Sequence, residues 1–146
     1  MATVEYGATA DELCSLYATY DWWADRDERE VSEALRNTDE VVLLRDETGE
    51  PVASARVVTD YVYYAMVYDV IVAEDRRGDG LGADLLAAII DHPRLQDVNP
   101  SLLAREGLVP FYESCGFEVM DEAVEHPDGD PEPLSWLLHR RDDEES

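Results

Sequence analysis

Hydrophobic positions along the chain change period several times, and each change marks an element. A short alternating stretch, Thr3 to Tyr6, suits an edge strand. Thr9 then stands three residues ahead of Glu12, the reciprocal pairing of a capping box. Leu13, Leu16, Tyr17 and Tyr20 follow at helical spacing, which predicts a first helix over about Ala10 to Tyr20. Asp25 with Glu28 repeats the start signal, and Val31, Ala34 and Leu35 supply the apolar stripe of a second helix ending near Asn37. Between the two lies Tyr20-Asp21-Trp22-Trp23, an aromatic cluster in a connection, suited either to core or dimer contacts or to lining a pocket.

Beyond Asn37 the period shortens to two. Val41 to Arg45 and Val52 to Thr59 flank the turn Asp46-Glu47-Thr48-Gly49-Glu50 and read as an antiparallel hairpin. After Asp60, the stretch Tyr63 to Ala73 reads as a long strand; Tyr61, Tyr63, Tyr64 and Tyr68 partly alternate, so one face is core and the other open. A glycine-rich turn leads into a helix from Leu81 to Asp91, closed by His92-Pro93. Ser101 to Ala104 gives another strand, Pro110 opens a short helix through Cys115, and Gly116 terminates it. Phe117 to Met120 and Leu134 to His139 form a last strand pair, joined by the acidic loop Asp121 to Pro133. This order predicts an α/β (α+β) domain with a mostly antiparallel sheet, because a doubly wound parallel sheet would alternate strand and helix more regularly. Residues 1–140 form a single domain and residues 141–146 a frayed acidic tail.

Charge changes the picture. The 146 residues carry a formal charge of −24, with 11 basic side chains, all arginine, against 35 acidic ones. Nucleic acid and anionic membrane both need basic surface, so neither is an expected partner. Acid spread along a folded domain that lacks lysine matches the proteome style of a salt-loving microbe, and at about 1 M salt the Debye length of ~3 Å leaves only close contacts to act on a polyanion. Cys14 and Cys115 make no disulfide framework, and no Cys/His pair has zinc-ligand spacing, so no metal is expected. The absence of a long apolar run or a signal-peptide layout points to a cytoplasmic protein.

Candidate chemistry centres on Asp69-Val70-Ile71-Val72 and the turn Arg76-Arg77-Gly78-Asp79-Gly80-Leu81-Gly82-Ala83. An apolar strand, glycines that let a ligand approach successive N–H groups, and a helix whose N-terminus aims at the same spot make a phosphate cradle. A P-loop is excluded because it requires lysine. Gly78, Gly80 and Ala83 satisfy the dinucleotide spelling, yet the turn lies halfway along the chain behind a hairpin, and no ribose-binding acid ends a strand about 20 residues on.

A third class fits better. Val70-Ile71-Val72, then Arg77-x-x-Gly80-x-Gly82 opening a helix, then Phe111-Tyr112-Glu113-x-x-Gly116-Phe117, resembles the GNAT superfamily of acetyl-CoA-dependent N-acetyltransferases. The resemblance implies a mixed, mostly antiparallel sheet of about six or seven strands, about four flanking helices and a splayed central strand. It further implies that Val70, Ile71 and Val72 pair with the pantetheine amides and that Gly78, Asp79, Gly80, Leu81, Gly82 and Ala83, with Arg77, hold the pyrophosphate. Arg76 reaches the adenosine 3′-phosphate or pairs with an acid such as Glu74. Tyr112 becomes the acid that protonates the leaving thiolate, Asp69 a base or an orienting group for the amine, and an N–H at or near Val72 the oxyanion donor. Arg105 stands where many members carry a cofactor-contacting asparagine.

The expected activity is transfer of acetyl from acetyl-CoA to a primary amine by direct attack in a ternary complex. The rival readings are a non-catalytic acyl-CoA-binding or sensing domain and a dinucleotide-binding oxidoreductase. A homodimer through the C-terminal strands or the aromatic surface is compatible with the sequence, which leaves His92, His126, His139 and Cys115 without a catalytic role.

Overall fold

The computed structural model describes residues 2–124 and 134–141. Its elements, in chain order, are β1 (Thr3–Tyr6), α1 (Ala10–Tyr17), α2 (Glu28–Arg36), β2 (Glu40–Arg45), β3 (Pro51–Thr59), β4 (Ala65–Val72), α3 (Leu81–Ile90), β5 (Pro100–Arg105), α4 (Val109–Ser114), β6 (Phe117–Val124) and β7 (Leu134–His139). Seven strands form one sheet in the order β1-β2-β3-β4-β5-β7-β6. Every pairing is antiparallel except that of β4 with β5. No helix among the described residues is long and apolar enough to cross a membrane.

Local chemistry sets the element ends. The capping box closes α1: the Glu12 N–H donates to Thr9 Oγ1 at 3.2 Å and the Thr9 N–H to Glu12 Oε1 at 3.0 Å. The cap of α2 is Asp27, whose Oδ1 accepts from the Glu30 N–H at 2.8 Å, not Asp25. That later start leaves Arg26 in the connection, free to reach across to β4. The turn Asp60 to Tyr64 also departs from the expected long strand. Asp60 Oδ1 gathers the N–H groups of Val62, Tyr63 and Tyr64, so β4 begins only at Ala65. β6 extends past Met120 to Val124; the remainder of the expected acidic loop, with His126, lies outside the described residues, as do residues 142–146. Arg141, expected in a loose tail, donates instead to the carbonyls of Val98, Ile90 and Leu95.

Two cores sandwich the sheet. Leu81, Leu85, Leu86, Ala88 and Ile89 of α3 pack with Val42, Ala55 and Val67 on one face, a cluster that also takes in Tyr112 of α4. Leu13, Leu16 and Tyr17 of α1 and Val31 of α2 cover Leu43, Ile71 and Ala73 on the other. β4 feeds both faces by a change of parity: Ala65 and Val67 face α3, and so do Val70 and Val72, while Ile71 and Ala73 face α1. Strict alternation forbids that pattern unless one residue is inserted. The register against β3 shows the insertion, since Tyr68 pairs with Arg56 but Ile71 with Ser54. Asp69 occupies the resulting bulge with φ 56°.

The β2–β3 hairpin turn is tied to the glycine-rich turn. Asp46 Oδ1 accepts from the Thr48 N–H (2.9 Å), the Thr48 hydroxyl (2.6 Å) and the Glu50 N–H (3.0 Å), while Arg76 Nη2 lies 2.5 Å from its Oδ2. The Thr48 hydroxyl, these backbone donors and Arg76 hold the Asp46 carboxyl well below the ordinary aspartate range. A depressed folded-state pKa means stability that is present above the ordinary value of about 3.9 and lost as pH falls through and below it. Asp46→Asn is therefore expected to lower Tm by roughly 3–6 °C at pH 7 and to flatten the loss of Tm between pH 5 and 3, checked by thermal denaturation across that range at fixed salt.

Candidate active site

The site is built where β4 leaves its neighbour. β4 and β5 pair only at Ala65 with Pro100 and Met66 with Ser101, and beyond Met66 the two parallel strands diverge. The Ala73 N–H bonds back to the Val52 carbonyl at 2.9 Å, so alternation turns the N–H and C=O groups of Val72 and Val70 away from β3 and into the gap. These are strand groups without a strand partner, which suits an extended ligand carrying amides. One is engaged already: the Tyr20 hydroxyl donates to the Val72 carbonyl at 2.6 Å, anchoring the connection after α1 to the end of β4.

At that end the chain turns through a short 3-10 segment, Glu74–Arg76, and the glycine-rich stretch into α3. Gly78 and Gly80 adopt φ of 90° and 82°, and a Cβ at either would meet open space; backbone conformation, rather than crowding, requires glycine there. Gly80 is the N-cap of α3 and has no side chain to offer, so the free N–H groups of the first turn, Leu81 to Ala83, face outward. Gly82 has a different reason: a Cβ would stand 3.0 Å from Phe111 Cζ. The Phe111 ring thereby packs α4 directly on the first turn of α3. Of the two adjacent arginines, Arg76 pairs with Asp46 rather than Glu74 and is half-buried. Arg77 is exposed, and burial raises the Tyr20 phenol while the nearby Arg77 guanidinium opposes that rise. The cradle's fit to a phosphorylated ligand thus rests on backbone N–H groups, the α3 dipole and Arg77.

Tyr112 sits behind the gap. Its ring is buried, edge-on to Phe111 at 5.2 Å and to Phe117 at 5.9 Å, in the cluster against which Val70 and Val72 pack. Burial, with a smaller contribution from Cys115, pushes its phenol up to about 12. It is fully protonated at any physiological pH. Arg105 closes β5 at the start of the next turn, on the gap's opposite side.

Asp69 is held by two guanidinium groups. Arg26 donates Nη1 to Oδ2 at 2.9 Å and Nη2 to Oδ1 at 3.2 Å, and Arg56 donates Nε to Oδ2 at 2.8 Å. Burial pushes the Asp69 carboxyl up, but Arg26 and then Arg56 outweigh it and hold it below the ordinary value. Arg26 in turn lies over the Tyr17 ring at 4.9 Å and the Trp23 ring at 5.0 Å. Trp23 therefore belongs with the core, edge-on to Tyr17, whereas Trp22 is exposed and stacks near Tyr20.

Sequence spacing did not expose Arg26, Arg56 or Tyr20 as parts of this assembly. Arg56 did carry a signal, an arginine inside the apolar run Val52 to Val58, where a charge needs a buried partner. Arg26 and Tyr20 carried none, because their partners lie 43 and 52 residues away.

A bulged strand diverging from a parallel partner, a glycine turn opening a helix at its end, and a tyrosine helix behind them form one contiguous arrangement. The chain belongs to the acetyltransferase (GNAT) family, whose profile matches residues 9–117. It is 30% identical over 125 residues to GCN5-related N-acetyltransferase 1, chloroplastic, of Arabidopsis thaliana, covering 84% of this chain and 60% of that protein. It is 36% identical over 104 residues to serotonin N-acetyltransferase 2, chloroplastic, of Oryza sativa subsp. japonica, covering 68% and 52%. The chain thus spans about half to three fifths of the length of these curated relatives. An aminoglycoside 6′-N-acetyltransferase crystallised with coenzyme A shares the fold at a TM-score of 0.74 and 15% identity, over 97% of this chain and 99% of that one.

Arg56→Leu should leave the buried carboxylate with one partner. The expected cost is about 2–3 kcal/mol, below the ~3–5 kcal/mol of a fully broken buried pair because Arg26 remains. Asp69→Asn in the same background should recover at least about 1 kcal/mol. Urea denaturation of the two single variants and the double variant measures both numbers.

Proposed function

We propose that this chain transfers an acetyl group from acetyl-CoA to a primary amine by direct attack within a ternary complex. One observation carries the reading: β4 bulges at Asp69, parts from β5 after two residue pairs, and leads into the glycine turn, so a single gap joins a row of strand groups without a strand partner to an anion cradle. Pantetheine amides would pair with the gap-facing groups around Val70 to Val72, and the pyrophosphate would sit on the N–H groups from Gly78 to Ala83, with Arg77 beside it.

The chemistry assigned to this chain's residues then follows in order. The neutral amine attacks the thioester carbonyl carbon, forming the C–N bond, while a gap-facing N–H at Val70 or Val72 accommodates the developing oxyanion. As the C–S bond breaks, Tyr112 gives its proton to the thiolate sulfur and regains one from the nitrogen of the adduct, leaving amide and free thiol. A phenol at about 12 is a weaker acid than a thiol near 8.5, so loss of the acidic adduct N–H drives the net transfer. Of the two roles expected for Asp69, orientation has the better support: both carboxylate oxygens are engaged by guanidinium groups, and its lowered pKa makes it a poor base. Water on the open face takes the ammonium proton before attack. The charge of −24 and the absence of lysine support a setting rich in salt.

Tyr112→Phe is expected to lower kcat by about 100-fold or more while the Kd for acetyl-CoA stays within about twofold. Gly80→Val, forced toward φ 82°, is expected to do the reverse, raising that Kd about tenfold or more. Thiol release at molar salt and calorimetric titration of acetyl-CoA separate the two. An unchanged rate in Tyr112→Phe removes the tyrosine from the mechanism.

A further inference from the structure

The sheet face that α1 and α2 leave bare is apolar and hollow. Val58, Tyr68, Leu103 and Trp136 are all large, exposed and on that face, and register sets them side by side across strands: Val58 against Met66, Met66 against Ser101, Leu103 against Trp136. A cavity of about 540 Å³ opens there, lined by Val58, Tyr64, Met66, Ser101 and Trp136, within the range of roughly 300–1,000 Å³ typical of small-molecule sites. Its floor is the last paired step of β4 and β5, Ala65 and Met66 with Pro100 and Ser101, so it adjoins the gap already described.

The turn beside the cavity is tethered. Tyr61 stands at φ 64°, its hydroxyl donates to Glu40, and the Arg94 guanidinium lies 4.5 Å over its ring. Arg94 Nη1 is 2.9 Å and His92 Nε2 3.0 Å from the same Glu40 carboxylate. The Thr59 hydroxyl donates to the Tyr64 carbonyl at 2.6 Å, which fixes the turn that carries Tyr64. The backbone that carries Tyr64 is therefore held in one turn conformation, with the Tyr64 ring exposed at the cavity's edge.

We propose that this cavity takes the body of the acceptor, and that the acceptor is a primary amine carried by an aromatic or bulky apolar group; the inference rests on the acetyl-transfer reading. The lining favours apolar matter. Asp60 is the one acid among its described lining residues, and its Oδ1 already receives three N–H groups of its own turn, so a polycationic chain finds no row of carboxylates. The cavity meets the gap where β4 and β5 part, at Met66 and Ser101, so a body held there lies beside the strand groups of the gap.

The probes are 2-phenylethylamine, 3-phenylpropylamine and spermidine, with thiol release at molar salt and, separately, calorimetric titration of 2-phenylethylamine into protein saturated with coenzyme A. The two aryl amines are expected to exceed spermidine in kcat/KM by about 30-fold or more, a difference within reach of an apolar pocket. Trp136→Ala and Tyr64→Ala, both removing exposed rings, are each expected to raise the KM and the Kd for 2-phenylethylamine about tenfold while the KM for acetyl-CoA stays within about twofold. A preference for spermidine, or an aryl-amine Kd that neither variant changes, overturns the proposal. If acetyl-CoA binds and no amine is acetylated, the transferase reading fails; the calorimetric arm still decides the cavity, with ring-dependent aryl-amine binding supporting it and absent binding refuting it.

Discussion

A single inserted residue in β4, Asp69, stands in the left-handed region between two arginines, and both cores of the domain depend on it. Without the insertion the alternation of β4 would send Ile71 and Ala73 toward α3 and Val70 and Val72 toward α1, exchanging apolar surface between two layers of different shape. The bulge also bends the strand, which starts the divergence from β5. Asp is among the few residue types that tolerate φ near 56°, and Arg26 and Arg56 give its buried carboxylate the hydrogen bonds and charge it needs. Structure and chemistry therefore share one cause: the feature that fills both cores also bares the strand groups of the gap.

Around that point the site is assembled by contacts between elements far apart in the chain. Tyr20 reaches Val72, Arg76 reaches Asp46, and Phe111 seats on Gly82. Each ties one end of the gap to a different part of the scaffold. The arrangement resembles the requirement for preorganised electrostatics, in which donors must already point where charge will develop.

Much of this was legible in the sequence where the signal is local. The capping box at Thr9 and Glu12, the β2–β3 turn at Asp46 to Glu50, and the glycine turn at Gly78 to Gly82 are each fixed by chemistry within a few residues, and each stands where it was expected. The sheet class and the splay followed from the GNAT resemblance. What escaped was non-local. Asp25 and Asp27 offer the same capping chemistry, and the choice between them goes to the one that frees Arg26 for Asp69. The residues from Tyr61 to Tyr64 have strand propensity, but Asp60 collects the backbone N–H groups of Val62, Tyr63 and Tyr64 and makes a turn of them. A bulge cannot be read from alternation on one strand when both of its faces are apolar, and Val67 to Ala73 is such a stretch.

On the proposed function, the β4–β5 gap and the glycine turn form one continuous coenzyme A site. Amide hydrogen exchange, resolved by residue with and without coenzyme A at molar salt, tests it most directly. The predicted result is slowed exchange at Val70 and Val72 together with Gly80 to Ala83, and little change at β1 and β6. Protection confined to one end of that path, or found elsewhere in the sheet, would contradict it.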